Sequence, residues 1–170
     1  MGEIEQCLVI IKPDGLVKSL TGNIITALSE TKLKIVGAKI VSVSRELAEK
    51  HYAHLKDKDS KIFEGTIDYI MGKYHTNRVL ALVYHGEDAI SKVRSICGPA
   101  NPEEAHPTTI RGRYGRVHSK TGIFENVIHA SDSKESAERE IKLWFSPNEL
   151  SELIYPTEER EVRTKQIFWA

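Results

Sequence analysis

Apolar residues follow three different patterns along this chain, and each pattern predicts a different element. Residues 7–13, CLVIIKP, form an unbroken β-branched run that stops at Pro-Asp-Gly, which reads as a buried strand ending in a turn. Residues 21–32 open on a Thr cap and read as a helix, and residues 33–44 alternate and are rich in Val and Ile, as a second strand does. Ser44 caps RELAEKHYAHLK, where Leu47, His51, Tyr52 and Leu55 recur at helical spacing. A charged loop at 56–61 leads to a helix over 62–74 and a strand over 78–86. Residues 86–99 give the clearest helix, with acids in the first turn, Ala89, Ile90, Val93 and Cys97 on one stripe, and Gly98-Pro99 as a stop. Residues 99–120 are irregular and rich in Pro and Arg, and a loop this long inside a domain is usually functional. A short strand at 122–128 and a helix at 133–145 follow, with Asp132 and Glu135 at the spacing of a capping box. The charged tail, 146–170, is expected to lie over the surface or against a neighbouring subunit.

The order β-α-β-αα-β-α-β predicts an α+β fold of the ferredoxin-like kind: a four-stranded, mostly antiparallel sheet with helices packed on it. The 170 residues suit a single domain spanning 1–170, with its core at about 5–147 and a tail from 148. Hydrophobic residues at 40% and charged residues at 28% are ordinary for a soluble globular protein. Twenty-four basic residues balance 24 acidic ones, so the overall charge gives no reason to expect a nucleic-acid or membrane partner. Two cysteines, Cys7 and Cys97, without a CxxC pattern point to reduced thiols rather than a disulfide framework or a zinc site. The N-terminus lacks the basic start and long apolar run of a signal peptide, and no run reaches the length of a membrane span. A cytoplasmic protein is expected.

The common phosphate cradles are missing: there is no GxxxxGK[ST], no GxGxxG and no HRD or DFG set. Candidate chemistry lies instead on scattered side chains. Lys12 closes the first strand, Arg94 lies about 100° off the apolar stripe of its helix, and Arg111 sits in the long loop. Each reads singly as a solvated cation; together with His129 they would make a phosphate clamp. His129 lies in NVIHASDS, on the seam between a strand and a helix. A neutral imidazole with one free nitrogen and a fixed ring is a competent nucleophile, and the other reading is a satisfied structural histidine. Glu140 falls about 60° to one side of Ala137 on the next helix, beside the buried stripe and on the side of Ser133, where it could orient that ring. His51 and His54 read as a partly buried pair rather than a metal site. The stretch 111–120, RGRYGRVHSK, reads as a solvated hairpin before it reads as a grip for single-stranded nucleic acid.

In order along the chain, IIKPDG, His51-Tyr52, Asn101-Pro102, TIRG at 109–112, NVIHASDS and SAEREI at 136–141 resemble the nucleoside diphosphate kinase family, from about residue 5 to 147. The resemblance implies a ping-pong exchange: a nucleoside triphosphate such as ATP gives its γ-phosphoryl group to a histidine, and a nucleoside diphosphate takes it. His129 matches the family's phosphorylated histidine, and Glu140 and Ser131 match the pair that orients it. Lys12, Tyr52, Ile62, Arg94, Ala100, Arg111 and Asn126 match the nucleotide-binding positions. Magnesium is expected on the nucleotide phosphates, with no direct protein ligand and Asp132 reaching it through water. Assembly as a homo-hexamer or homo-tetramer is implied as well. The chain departs from the family at Ala100, where a phosphate-bonding Thr is usual, at Ile62, where Phe stacks on the base, at Thr108 and Ala130, where Gly is common, and in a longer stretch between Arg111 and Asn126. Those departures motivate a second reading, a nucleotide- or nucleic-acid-binding protein on the same fold that has lost turnover.

Overall fold

A computed structural model describes residues 2–56, 59–162, 164, 165 and 169. The N-terminal apolar run is strand β1, Ile4–Ile11, and it is buried from Gln6 onward because both its faces meet core. Cys7, Val9 and Ile11 join one buried cluster, while Leu8 and Ile10 join another. A strand covered on both sides has no polar face to present, so its sequence does not alternate. β1 pairs antiparallel with β3, Arg78–Glu87, on one side and with β6, Ile128–Ala130, on the other. Strand β2, Lys34–Ser42, pairs antiparallel with β3, and the sheet order is β2-β3-β1-β6. This is the ferredoxin-like α+β arrangement the element order predicts.

Helices cover both faces. α2, Thr21–Ser29, and α5, Ala89–Cys97, supply Ile24, Leu28, Ala89, Val93 and Cys97 to the first cluster. α3, Arg45–His51, α4, Ser60–Ile70, and α7, Lys134–Trp144, supply Ala48, Phe63, Ile67, Ile141 and Trp144 to the second. Each large side chain removed from water contributes roughly 1.5–3 kcal/mol, so the two clusters together hold the sheet between its helices.

Several boundaries differ from the sequence reading. The Pro-Asp-Gly turn is a short helix, α1, Pro13–Val17, with Pro in its first turn, where its missing N–H has no cost. Thr21 is the first residue of α2 rather than its cap. The first turn of α5 holds no acid, because the helix starts one residue after Asp88; Asp88 itself sits at φ 51°. Its stop is as expected: Gly98 has φ 80°, and a Cβ there would meet Thr109 Oγ1 at 2.5 Å. The cap of α7 is Ser133, whose side chain accepts from Ser136 N, not Asp132. Asp57 and Lys58 of the charged loop lie outside the described residues, as do residues 163, 166–168 and 170 of the tail.

The irregular segment contains a 3-10 turn, Pro102–Glu104, a short helix, α6, Ile110–Tyr114, and a strand, β4, Arg116–Val117. β4 pairs with β5, Phe124–Glu125, as a separate two-stranded hairpin. Residues 122–128 are therefore not one strand. The chain breaks at Val127, which has φ 58°, an uncommon conformation for a β-branched residue. Two bonds hold it there: Lys12 N donates to Val127 O at 2.8 Å, and Val127 N donates to buried Asp14 Oδ2 at 3.2 Å. Beyond the break β6 rejoins the main sheet.

Candidate active site

β6 places His129 opposite Ile10 of β1, on the face covered by α3 and α7. From α7, buried Glu140 reaches back to it: His129 Nε2 lies 2.9 Å from Glu140 Oε2. Ser131 Oγ donates to the same carboxylate oxygen at 2.7 Å and accepts from Leu8 N at 3.1 Å. Ser131 N in turn donates to Leu8 O at 3.0 Å. The innermost strand thus fixes the serine, the serine fixes the carboxylate, and the carboxylate fixes the ring. Burial raises Glu140 above the usual carboxylate range. Burial, with Lys12 and Arg111 nearby, holds His129 well below its ordinary 6.5. The imidazole is therefore neutral, with its proton on Nε2 toward Glu140, and Nδ1 carries the lone pair. The side chain keeps 16% of its surface exposed.

The cations come from other elements. Lys12, at the entrance to α1, donates from Nζ to Asn126 Oδ1 at 2.8 Å, and Asn126 Nδ2 donates to Ala100 O at 2.8 Å. Arg111, in α6, donates to Gly98 O at 2.8 Å and to Ile128 O at 3.0 Å. All of these hydrogen-bond partners are neutral, and Asp14 acts on Lys12 only through space. Burial and the nearby Arg111 charge pull Lys12 down to about 7. Among the described residues, the buried Arg111 Nε and the buried Tyr52 hydroxyl have no hydrogen-bond partner. Unpaired buried donors beside two buried basic groups that are hydrogen-bonded only to neutral oxygens fit an anionic ligand rich in acceptor oxygens.

Arg94 is exposed on α5 and shares a cleft with Asp132 and Ser133 at the start of α7. A hydrogen bond from Ser136 and the Arg94 charge keep Asp132 ionised, below its ordinary range. An exposed, ionised carboxylate here fits the water-mediated contact to magnesium that the resemblance implies. Ile62 is 61% exposed on α4, whereas Phe63 beside it is buried in the second cluster. Of the two, only Ile62 has its side chain open to solvent. Ala100 contributes its carbonyl to Asn126 and has no side-chain oxygen to offer.

The structure thus gathers Lys12, Tyr52, Arg111, Asn126, His129, Ser131 and Glu140, sets Arg94 and Asp132 at the rim, and leaves Ile62 on an outer helix. Three residues to which the sequence reading gave no role in the site belong to the same neighbourhood, among them His51, read as half of a partly buried pair with His54, which is exposed. His51 is fully buried, and its ring packs edge-on against His129 at 4.5 Å between centroids. Trp144 Nε1 donates to His51 Nδ1 at 3.1 Å. Asp14 accepts from the Tyr69 hydroxyl at 2.5 Å besides holding Val127. The one signal available for His51 was that a buried Trp needs a partner for its N–H; nothing in the spacing said which partner.

A family model described as nucleoside diphosphate kinase matches residues 5–150. A nucleoside diphosphate kinase of Pyrococcus furiosus is 49% identical over 152 residues, 89% of this chain and 89% of the relative. One from Staphylococcus carnosus is 44% identical over 158 residues, 93% of this chain and 97% of the relative. Among solved structures, the Borrelia burgdorferi enzyme, described as a transition-state mimic with bound vanadate and ADP, superimposes with a TM-score of 0.78 at 34% identity, covering 91% of this chain and 94% of that one. The Halobacterium salinarum enzyme in complex with CDP gives 0.77 at 37% identity, covering 90% and 95%.

Proposed function

The chain belongs to the nucleoside diphosphate kinase family of phosphotransferases, and we propose that it moves the γ-phosphoryl group of a nucleoside triphosphate to a diphosphate through His129 in two displacements. The observation that carries this reading is the His129 ring itself, neutral, tied at Nε2 to Glu140, with Nδ1 free beside buried cations. In the first step the Nδ1 lone pair attacks the γ-phosphorus, the bond to the bridging oxygen breaks, and the diphosphate leaves with that electron pair. The Nε2 proton stays on the ring, where Glu140 and Ser131 stabilise the positive charge that develops. In the second step a terminal oxygen of an incoming diphosphate attacks the phosphorus, and the P–N bond breaks to restore neutral His129.

Lys12, Arg111, Tyr52 and Asn126 bind phosphate and ribose oxygens and spread the charge of the moving group, since phosphoryl transfer depends on positioning and neutralisation. Asp132 would face the water shell of a magnesium ion arriving with the nucleotide, and that ion would supply charge neutralisation on the phosphate oxygens. The active form is a homo-hexamer or homo-tetramer working in the cytoplasm. No helix of the described residues is long and apolar enough to cross a membrane.

The test is incubation with γ-labelled ATP and magnesium. Acid-labile, base-stable label on His129 is expected, and His129→Ala is expected to lose both label and exchange. A chain that takes no such label, or a variant that exchanges at the full rate, defeats the reading.

A further inference from the structure

His51 has three constraints that packing alone does not explain. It is completely buried at the end of α3, between Tyr52, Trp144 and His129. An indole N–H can only donate, so the 3.1 Å bond from Trp144 makes His51 Nδ1 an acceptor and puts the ring proton on Nε2. That Nε2–H is buried and, among the described residues, has no partner. The His51 side chain belongs to a cluster in which one ring nitrogen from each of His51 and His129 and one Glu140 oxygen all lie within 4.8 Å of one another. The backbone beneath it is held too: Arg139 donates to His51 O at 3.4 Å and to Glu140 Oε1 at 3.5 Å.

A phenylalanine, slightly larger, would supply an aromatic ring for the same edge-on contact with His129. A histidine does two further things. It gives the buried Trp144 N–H an acceptor, and it leaves an unpaired neutral donor buried in the cluster with His129 and the carboxylate that orients it. We propose that His51 is a positioning residue for phosphoryl transfer: locked by Trp144 and packed on His129, it keeps the nucleophile with Nε2 on Glu140 and Nδ1 open to phosphorus. The proposal rests on the reading of His129 as the phosphorylated residue. His51 touches neither nucleotide nor phosphorus; it acts through the orientation of a ring whose misplacement by a fraction of an ångström is felt in rate before it is felt in binding.

The experiment compares the full chain with His51→Phe and Trp144→Phe. Three quantities are read: the single-turnover rate of His129 labelling by γ-labelled ATP, nucleotide affinity, and the ring nitrogen resonances of His129 by NMR. Both variants are expected to slow labelling by roughly tenfold to a hundredfold while nucleotide affinity stays within about twofold. His129 is expected to pass from a single Nε2–H form to a mixture of tautomers. A packing role would lower the melting temperature and leave rate and tautomer unchanged. Should His51→Phe fold poorly, Trp144→Phe still reads the same tautomer with His51 in place. Labelling at the unaltered rate with His129 still wholly in the Nε2–H form overturns the proposal. Absence of label from the unaltered chain instead defeats the reading beneath it, and the proposal falls with that reading.

Discussion

Lys12 is where folding and binding pull in opposite directions. Its ammonium is buried beside Arg111, and the two together bring it down to about 7 from an ordinary 10.5. Between those values the unfolded chain binds a proton that the folded chain does not, so this group's contribution to stability rises with pH across that window and is least favourable below about 7. Nucleotide phosphates reverse the balance by favouring the charged form. Binding near neutral pH is therefore expected to take up a proton, and affinity is expected to fall as pH rises above about 7. Titration calorimetry in two buffers of different ionisation enthalpy measures the uptake directly; equal heats in both would refute it. At this scale the sequence told much. Lys12, Arg111, His129 and Glu140 were all legible as candidates, because chemistry of this kind requires those residue types. Partners were not legible. That Lys12 answers to Asn126, and His51 to Trp144, depends on contacts between residues more than ninety positions apart.

Among the elements, the kink at Val127 sets where the nucleophile goes. A left-handed β-branched residue costs of order 1–3 kcal/mol, and here Asp14 and the Lys12 backbone hold it in place. Asp14 also satisfies the buried Tyr69 hydroxyl. Asp14→Ala leaves two buried donors unpaired and is expected to cost about 3 kcal/mol, read as a lower urea midpoint at unchanged slope. The strands and helices that follow a clear period were legible, including the buried stripe of α5. The region 99–128 was not, because its elements are short and held by long-range contacts. Buried Glu125 binds Arg116 at 2.5 Å and His75 at 2.9 Å, and Ile123 lies over Gly65 of α4. No local pattern reports such contacts. The basic hairpin is thereby docked on α4, the helix that carries Ile62.

For the whole molecule, the sheet has two edges of unequal character. β6 carries the site, while β2 lies at the far edge with Ile40 58% exposed and Ile35 also open to solvent. The tail covers this edge at a few points: Ser151 N donates to Val36 O at 2.8 Å, and Glu149 pairs with Lys39 at 2.6 Å. The tail up to there lies on its own sheet, one of the two placements expected from its sequence. An edge strand with uncovered apolar side chains is a pairing surface unless something occupies it. The proposed oligomer would occupy it, and Ile40→Lys is then expected to shift the mass measured by light scattering toward a smaller species. An unchanged mass would place subunit contacts elsewhere. The fold class followed from element order, but the covering of both sheet faces became plain only from the way β1 divides its side chains.

The neutral partners of Lys12 and Arg111 have a consequence beyond catalysis. A protein that hydrogen-bonds buried basic groups to carbonyl and amide oxygens, rather than to carboxylates, leaves their charged forms to be stabilised by an arriving anion. Selection among ligands can then proceed by counting charges. A nucleoside brings none, a monophosphate few, and each further phosphate does more to hold Lys12 charged beside Arg111. The recognition of di- and triphosphates over the rest would thus need no reading of the base, which suits a pocket whose apolar platform is only an exposed isoleucine.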